Sequence, residues 1–199
     1  MEAALQSKYL TEYVVSTNDQ NIADVAEQAG ASAIRRPDEL AQDDTPTLPA
    51  LKWSVRRTED FTVVGFDYII EIRATSPLKT TEDIDGCIER LIETGADSVI
   101  GVTALEDHHP ARAKWLDEQG RIRDFVPEPQ SGRRQDLTPK AYVRNGTIYA
   151  LKRDAVMGPD GKLFGHEFSL GYEMPAERSV NIDTELDWKL AELLMGGAK

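Results

Sequence analysis

The sequence predicts an α/β fold, a mostly parallel sheet with helices on both faces, and three observations carry that expectation. Two short runs rich in β-branched and aromatic residues, within Asp67–Ile72 and Asp97–Thr103, read as strands buried on both faces. They are separated by a segment with helix start and stop signals, and the same alternation of strand and helix runs through the first half of the chain. The stretch Asp67-Tyr-Ile-Ile-Glu-Ile-Arg73-Ala-Thr-Ser-Pro-Leu-Lys79 shows the junction most clearly. It is a strand, then a short polar loop, then a helix capped by Thr80 with Asp83 at the capping-box position. Ligands of open α/β sheets bind at the carboxyl ends of such strands, which places the working face at Arg73, Thr75 and Ser76. The length, 199 residues, fits a single domain spanning 1–199.

In chain order, Met1–Lys8 reads as a helix of strong formers and Glu12–Thr17 as a strand. Asn18-Asp19 caps a helix over Gln20–Gln28, which Gly30 closes. Ser32–Arg36 is a second short strand, followed by a polar loop over Pro37–Pro46 and a helix over Thr47–Asp60. After the organising strand, a helix over Thr81–Thr94 ends at Gly95, and the strand Asp97–Thr103 follows. Residues 106–140 differ in character. They hold polar loops, a hairpin from Ala113–Asp117 through Glu118-Gln119-Gly120 to Arg121–Val126, and an irregular stretch over Pro127–Pro139. They read as an excursion from the sheet of the sort used as an oligomer arm. Ala141–Leu151 returns to strand, with Gly146 marking a bulge or close approach. Val156–Gly165 is a glycine-containing turn region, Phe168–Met174 a strand, and Thr184–Met195 a last helix. Its inward face is expected at Leu186, Leu190, Leu193 and Leu194.

The formal charge of −12 argues against nucleic acid or an anionic membrane as partner, while leaving room for a small anionic substrate at a local basic site. Basic residues are grouped at Arg35-Arg36, Arg56-Arg57, Arg112 with Lys114, and Arg133-Arg134, as solvated surface or as anion ligands. A lone cysteine, Cys87, fits core packing and a reducing cytoplasm. The sequence shows neither a long apolar run nor a signal-peptide pattern.

Among groups suited to chemistry, Asn181-Ile-Asp183 at a strand-to-helix junction presents oxygens to a divalent cation, or else Asp183 simply caps the last helix. The adjacent imidazoles of His108-His109 face apart in extended chain and make a poor zinc site. Arg133-Arg134-Gln135 and Tyr142-Val143-Arg144-Asn145-Gly146 carry forks and amides suited to carboxylates and hydroxyls. There is no G-x-S-x-G motif.

Several blocks in sequence order carry a resemblance: Tyr13-Val-Val-Ser-Thr-Asn-Asp19, Arg36-Pro-Asp-Glu-Leu-Ala41, Arg73-Ala-Thr-Ser-Pro-Leu-Lys79 and Asp107-His-His-Pro110 with Arg112. After them come Arg134-Gln135, Asn145-Gly-Thr-Ile-Tyr149 and Ser179-Val-Asn-Ile-Asp-Thr-Glu-Leu-Asp187. Over nearly its whole length the chain resembles the acylneuraminate cytidylyltransferases, the CMP-sialic acid synthetase family. The resemblance implies a Rossmann-like fold of the nucleotide-diphosphosugar transferase type. The implied activity couples CTP to a nine-carbon 2-keto acid sugar, sialic acid or an analogue of the legionaminic or pseudaminic type, releasing pyrophosphate with Mg²⁺ present. It further implies nucleotide contacts at Arg36 and Thr45, and sugar contacts at Arg73, Asn145 and Tyr149, with Phe164 as an apolar wall. Arg112 and Arg134 would hold the sugar from a partner subunit, with Gln135 a further sugar contact, making 106–140 a dimerisation arm and the protein a cytoplasmic homodimer with shared sites. Asp183, with Asn181, would hold the metal.

Four departures from the family pattern carry expectations. Arg73 stands where the family has Gln, which would alter sugar preference. Asn181 replaces an Asp of the metal pair and would weaken cation affinity. Val143 falls where some relatives carry Arg. Family members begin with a strand and a P-A-R-x-x-S-K-type phosphate loop, absent from these 199 residues. A truncated or mis-started member, with poor CTP binding and slow or no turnover, is therefore expected. The alternative is a non-catalytic module that dimerises or binds a sugar.

Overall fold

The computed structural model describes residues 1–130 and 133–196. The elements are α1 (Glu2–Leu5), β1 (Val14–Thr17), α2 (Gln20–Gln28), β2 (Ser32–Arg35), α3 (Thr47–Thr62), β3 (Tyr68–Ile72), α4 (Thr81–Thr94) and β4 (Ser98–Ala104). They continue with β5 (Lys114–Leu116), β6 (Ile122–Asp124), β7 (Tyr142–Lys152), α5 (Arg153–Met157), β8 (Ser169–Glu173) and α6 (Glu185–Gly196). Among the described residues no helix is long and apolar enough to cross a membrane.

The α/β class holds, and the sheet is divided. Strands β1 and β2 form one parallel pair, and β3-β7-β4-β8 form a four-stranded sheet; β5 and β6 make a separate hairpin. In the larger sheet β4 and β8 are parallel, whereas β7 runs antiparallel to both β3 and β4. One reversed strand inside an otherwise parallel sheet follows from the connection: β7 enters after the excursion of residues 106–140, not after a crossover helix. Gly146, at φ +70°, sits where the β4–β7 register slips between Ile100 and Val102, the bulge its position suggested.

Local signals explain the helix ends. The Asp19 side chain accepts from the Ile22 N–H and caps α2. The α4 capping box is reciprocal: the Thr80 hydroxyl accepts from the Asp83 N–H and the Asp83 carboxylate accepts from the Thr80 N–H, while Gly95 closes the helix in the left-handed region. Helix α1 is shorter than expected. The Ser7 hydroxyl bonds to Asp85 and accepts from the Tyr9 and Leu10 N–H groups, so it competes with a further helical turn. The turn region after β7 begins with a short helix, α5, that the glycines masked.

Two apolar clusters flank the larger sheet. One joins Ile84, Cys87, Ile88 and Leu91 of α4 to Val99, Ile148 and Ala150, with Ile70 and Ile72 packed against it. The other joins Val55 of α3 and Val156 of α5 to Ile69, Tyr149 and Leu151. Strand β3 thus sends alternate residues to opposite layers, as a strand buried on both faces must. Cys87 is fully buried and burial pushes its thiol up, in keeping with core packing. The expected inward face of α6 is not inward: Leu186, Leu190 and Leu193 are exposed and Leu194 is half-buried, and Ala191 is the residue that packs. Helical spacing marks an apolar face, but nothing within the described residues covers this one.

Candidate active site

At the carboxyl end of β3 the chain builds a charged cluster on apolar walls. Period-two alternation puts Glu71 and Arg73 on the side of Ile69. Arg73 Nε donates to Glu71 Oε1 at 3.1 Å, and the guanidinium lies 5.3 Å from the Tyr149 ring centroid. Tyr149 is buried beneath it, opposite Glu71 in the β3–β7 register. Glu71 Oε2 is buried without a hydrogen-bond partner; burial raises the carboxyl's pKa, with Arg73 opposing the shift. The following loop wraps around Lys79, whose Nζ donates to the carbonyls of Arg73 at 2.7 Å and Ser76 at 2.6 Å. Burial lowers this ammonium to a pKa of about 8.

Arg36 follows β2, anchored by its backbone N–H to the Thr17 carbonyl, and its side-chain Nε is buried without a partner. Thr45 accepts from the Gln42 N–H and donates weakly to the Glu39 carbonyl, so its hydroxyl shapes the loop. Arg36, Thr45, Glu71, Arg73 and Lys79 all line one cavity of about 1430 Å³ between the two sheets. The lining as a whole is not positive, since Glu2, Glu12, Asp67 and Glu71 accompany Arg36, Arg73 and Lys79, but Arg73 and Lys79 stand together at the carboxyl end of β3. That local grouping, and not the net charge of the lining, suits an anionic group.

The other expected contacts do not line the cavity. Asn145 is buried: its Nδ2 donates to Ser179 Oγ at 3.0 Å and its Oδ1 accepts from the Thr147 N–H, so the amide braces the β7 bulge. Phe164 is half-exposed and carries the Arg144 guanidinium at 3.7 Å from its ring centroid. Arg112 ends a 3-10 turn over Pro110–Arg112, and Arg134 and Gln135 lie in another over Arg134–Asp136. Arg134 pairs with Glu106 and Asp107 at the base of the excursion. The cavity therefore gathers Arg36, Thr45 and Arg73, with Tyr149 added through Arg73. Arg112, Arg134, Gln135 and Phe164 remain outside its lining.

Asn181 and Asp183 approach from the segment before α6. Ser76 Oγ donates to Asn181 Oδ1 at 3.4 Å, and Asn181 Nδ2 donates to Asp183 Oδ2 at 2.6 Å. The cap of α6 is the pair Thr184 and Asp187: the Asp187 carboxylate accepts from the Thr184 N–H at 2.8 Å, and the Thr184 hydroxyl faces the Asp187 N–H. Asp183 is thus not the helix cap. Among the described residues no cluster of three or more His, Cys, Asp or Glu side chains could hold a metal. One carboxylate beside an amide oxygen fits Mg²⁺ only as an ion that shares its ligands with substrate phosphates and water.

Sequence reading missed Glu71 and Lys79 as members of the cluster. The signal for Glu71 was present, a carboxylate inside an otherwise apolar strand destined for burial. Lys79 gave no comparable signal, because its carbonyl cradle exists only once the loop has folded.

Comparison with known proteins bears on the family and the fold. A family model described as cytidylyltransferase matches residues 1–157. The chain is 30% identical over 197 residues to the post-translational flagellin modification protein B of Campylobacter coli, covering 96% of this chain and 80% of that protein. It is 32% identical over 200 residues to the CMP-N,N'-diacetyllegionaminic acid synthase of Legionella pneumophila, covering 97% and 82%. Among solved structures, a CMP:2-keto-3-deoxy-manno-octonic acid synthetase complexed with CTP superposes with a TM-score of 0.68 at 16% identity, over 98% of this chain and 85% of that one. The 4-diphosphocytidyl-2C-methyl-D-erythritol synthase of Anaerococcus prevotii gives 0.59 at 12% identity, over 98% and 86%. These structures share the fold, and the match over residues 1–157 together with the full-length relatives shows that the chain belongs to the cytidylyltransferase family.

Proposed function

We propose that this cytidylyltransferase moves CMP from CTP to a nine-carbon 2-keto acid sugar of the sialic or legionaminic type. The observation that carries the reading is the grouping of Arg36, Arg73 and Lys79 on one cavity at the carboxyl ends of β2 and β3. Guanidinium and ammonium groups at these strand ends are suited to two anionic substrates, a nucleoside triphosphate and a sugar carboxylate. In the reaction the sugar's 2-hydroxyl oxygen attacks the α-phosphorus of CTP. The bond to the bridging oxygen breaks, pyrophosphate leaves, and the hydroxyl proton is released. The residues position the substrates and neutralise charge. Arg36 and Lys79 face the nucleotide phosphates. Arg73, held flat by Tyr149 and Glu71, presents its remaining donors to the sugar carboxylate. Asp183 and the Asn181 oxygen would share Mg²⁺ with the phosphates, and that ion would supply Lewis-acid charge at the α-phosphate.

The hairpin β5–β6 exposes Leu116, Ile122 and the adjoining Phe125, which supports a homodimer joined through the excursion. A pyrophosphate-release assay with CTP, Mg²⁺ and a panel of nonulosonic acids tests the function. Pyrophosphate release that requires both CTP and one of these sugars, however slow, supports the reading, and release that is indifferent to the sugar refutes it.

The separation of the two sheets favours a second reading, a module that binds without turning over. Calorimetry with CTP and Mg²⁺ discriminates, since CTP-dependent heat without pyrophosphate release selects this second reading.

A further inference from the structure

Glu71 is a carboxylate with half of its hydrogen bonding undone. Oε1 accepts from Arg73 Nε at 3.1 Å, while Oε2 is buried without a hydrogen-bond partner. The Glu71 side chain is 13% exposed and that of Arg73 36%, so the acid is the drier member of the pair. Tyr149 faces Glu71 in the β3–β7 register and lies beneath the guanidinium. Lys79 is turned into the carbonyls of Arg73 and Ser76. The lining residues that α3 and α4 supply carry no titratable side chain, and Arg36, Glu2, Glu12 and Asp67 complete the charged lining. Of all these, Arg73 is the charge that acts on the Glu71 carboxyl, and it opposes a burial that favours the neutral acid. An ionised Glu71 therefore depends on one cation, the same cation that the sugar carboxylate needs.

We propose that Glu71 couples sugar binding to proton uptake: as a sugar carboxylate takes the Arg73 guanidinium, Glu71 takes a proton from solvent. This rests on the sugar site proposed above and adds a regulation to it. Two carboxylates on one guanidinium repel each other, and in a half-dry site one of them is neutralised. The electron-withdrawing oxygens at the anomeric carbon make the sugar the stronger acid, so the sugar keeps its charge. The proton goes to Glu71, where Oε2 is the vacant oxygen and Oε1 still accepts from Arg73 Nε. Arg73 thus stays oriented while its positive charge is released to the ligand. The coupling selects for an ionised sugar, since a neutral one leaves Glu71 charged. By linkage, sugar affinity rises as pH falls, by up to about tenfold per pH unit when one proton is bound per sugar. The effect spans the range from the free carboxyl's pKa, already raised by burial, to its higher value in the complex.

The test is calorimetry of the full chain with N-acetylneuraminic and N,N'-diacetyllegionaminic acids, without CTP. Buffers of different ionisation heat are compared, so that the protons bound per sugar are read directly. Across mildly acidic to neutral pH the parent is expected to take up a proton with the sugar, more than about half of one at the maximum. The sugar's methyl ester, which is neutral, should bring no uptake. Glu71→Gln keeps the oxygen that Arg73 uses and cannot ionise. It should abolish the uptake and flatten the affinity profile, with neutral-pH affinity no weaker than the parent's. Lys79→Arg removes the other lining side chain whose protonation an anion would favour, and the uptake should survive it. Sugar binding without proton uptake, or uptake unchanged by Glu71→Gln, would overturn the proposal and leave the proposed function standing. A Glu71→Gln protein that binds sugar more weakly than the parent at every pH would make Glu71 a fixed anchor for Arg73 and overturn it too. No heat from either sugar at any pH would overturn the sugar site and this coupling together.

Discussion

Asp83 and Arg178 tie the two sides of the site together, and breaking them has a consequence that can be worked out. Asp83 is 1% exposed. Its carboxylate accepts from the Thr80 N–H at 3.0 Å and from Arg178 Nε and Nη2 at 2.9 and 3.0 Å. One carboxylate therefore caps α4, directly after the Arg73–Lys79 loop, and fixes the segment that leads to Asn181 and Asp183. Replacing Arg178 with Ala leaves a buried charge supported only by Thr80, and orphaning one partner of a buried pair costs about 3–5 kcal/mol. The Arg178 side chain is 36% exposed, so water partly rehydrates the gap and the lower half of that range applies. Asp83→Ala removes the capping box, about 1 kcal/mol, and leaves an arginine that can reach solvent, so it is expected to be the milder change. Urea unfolding of the two single variants and of Asp83→Asn/Arg178→Met measures this. Arg178→Ala should lose about 3 kcal/mol, and the double variant should recover part of that loss because no unpaired buried charge remains. An Arg178→Ala protein within about 0.5 kcal/mol of the parent, the ordinary size of a surface substitution, would refute the reasoning.

Three further outcomes follow from particular residues. Arg73→Gln removes a charge-assisted contact worth about 1.5–3 kcal/mol, so affinity for the sugar, read by calorimetry, should fall roughly 10- to 150-fold with CTP affinity unchanged; equal loss for both ligands would place Arg73 elsewhere. Lys79 is cationic below pH about 8 and neutral above it, so phosphate affinity should fall as pH rises through that value. Over the same rise the unfolded chain, with the ordinary lysine pKa, holds more protons than the folded one, and this group's contribution to stability increases. Lys79→Arg should flatten the affinity profile, and a profile unchanged by that substitution would exclude Lys79. Val63 closes α3 at φ 58° and is 89% exposed, so Val63→Gly relieves left-handed strain without losing packing. A gain of about 0.5–1 kcal/mol is expected in the urea midpoint with the slope unchanged, and a loss would show that Val63 packs against something.

Features set by short stretches of chain were legible in the sequence. The Thr80–Asp83 capping box, the left-handed closures at Gly30 and Gly95, and the bulge at Gly146 depend on residues within a few positions of one another, and each is present. Strand direction is different. The composition of Ala141–Leu151 identifies a strand, but its antiparallel course between β3 and β4 is set by the excursion before it. The leucines of α6 show a related limit, because a helical stripe records an apolar face and not what meets it. At the site, Arg36, Thr45 and Arg73 line one cavity, and the ligand contacts that the resemblance implies for them belong to the proposal. Glu71 was legible as a carboxylate inside an apolar strand, whereas Lys79 became recognisable only through the folded loop around it, which no spacing encodes.

The central claim is cytidylyl transfer to a nonulosonic acid, and the product tests it most directly. The full chain is incubated with CTP, Mg²⁺ and N-acetylneuraminic or N,N'-diacetyllegionaminic acid, and the mixture is analysed by mass spectrometry alongside phosphorus NMR. The account predicts a CMP-sugar ester and pyrophosphate in equal amounts, both absent when the sugar is omitted. CTP left intact with every nonulosonic acid offered, and no heat of CTP binding by calorimetry, would contradict it.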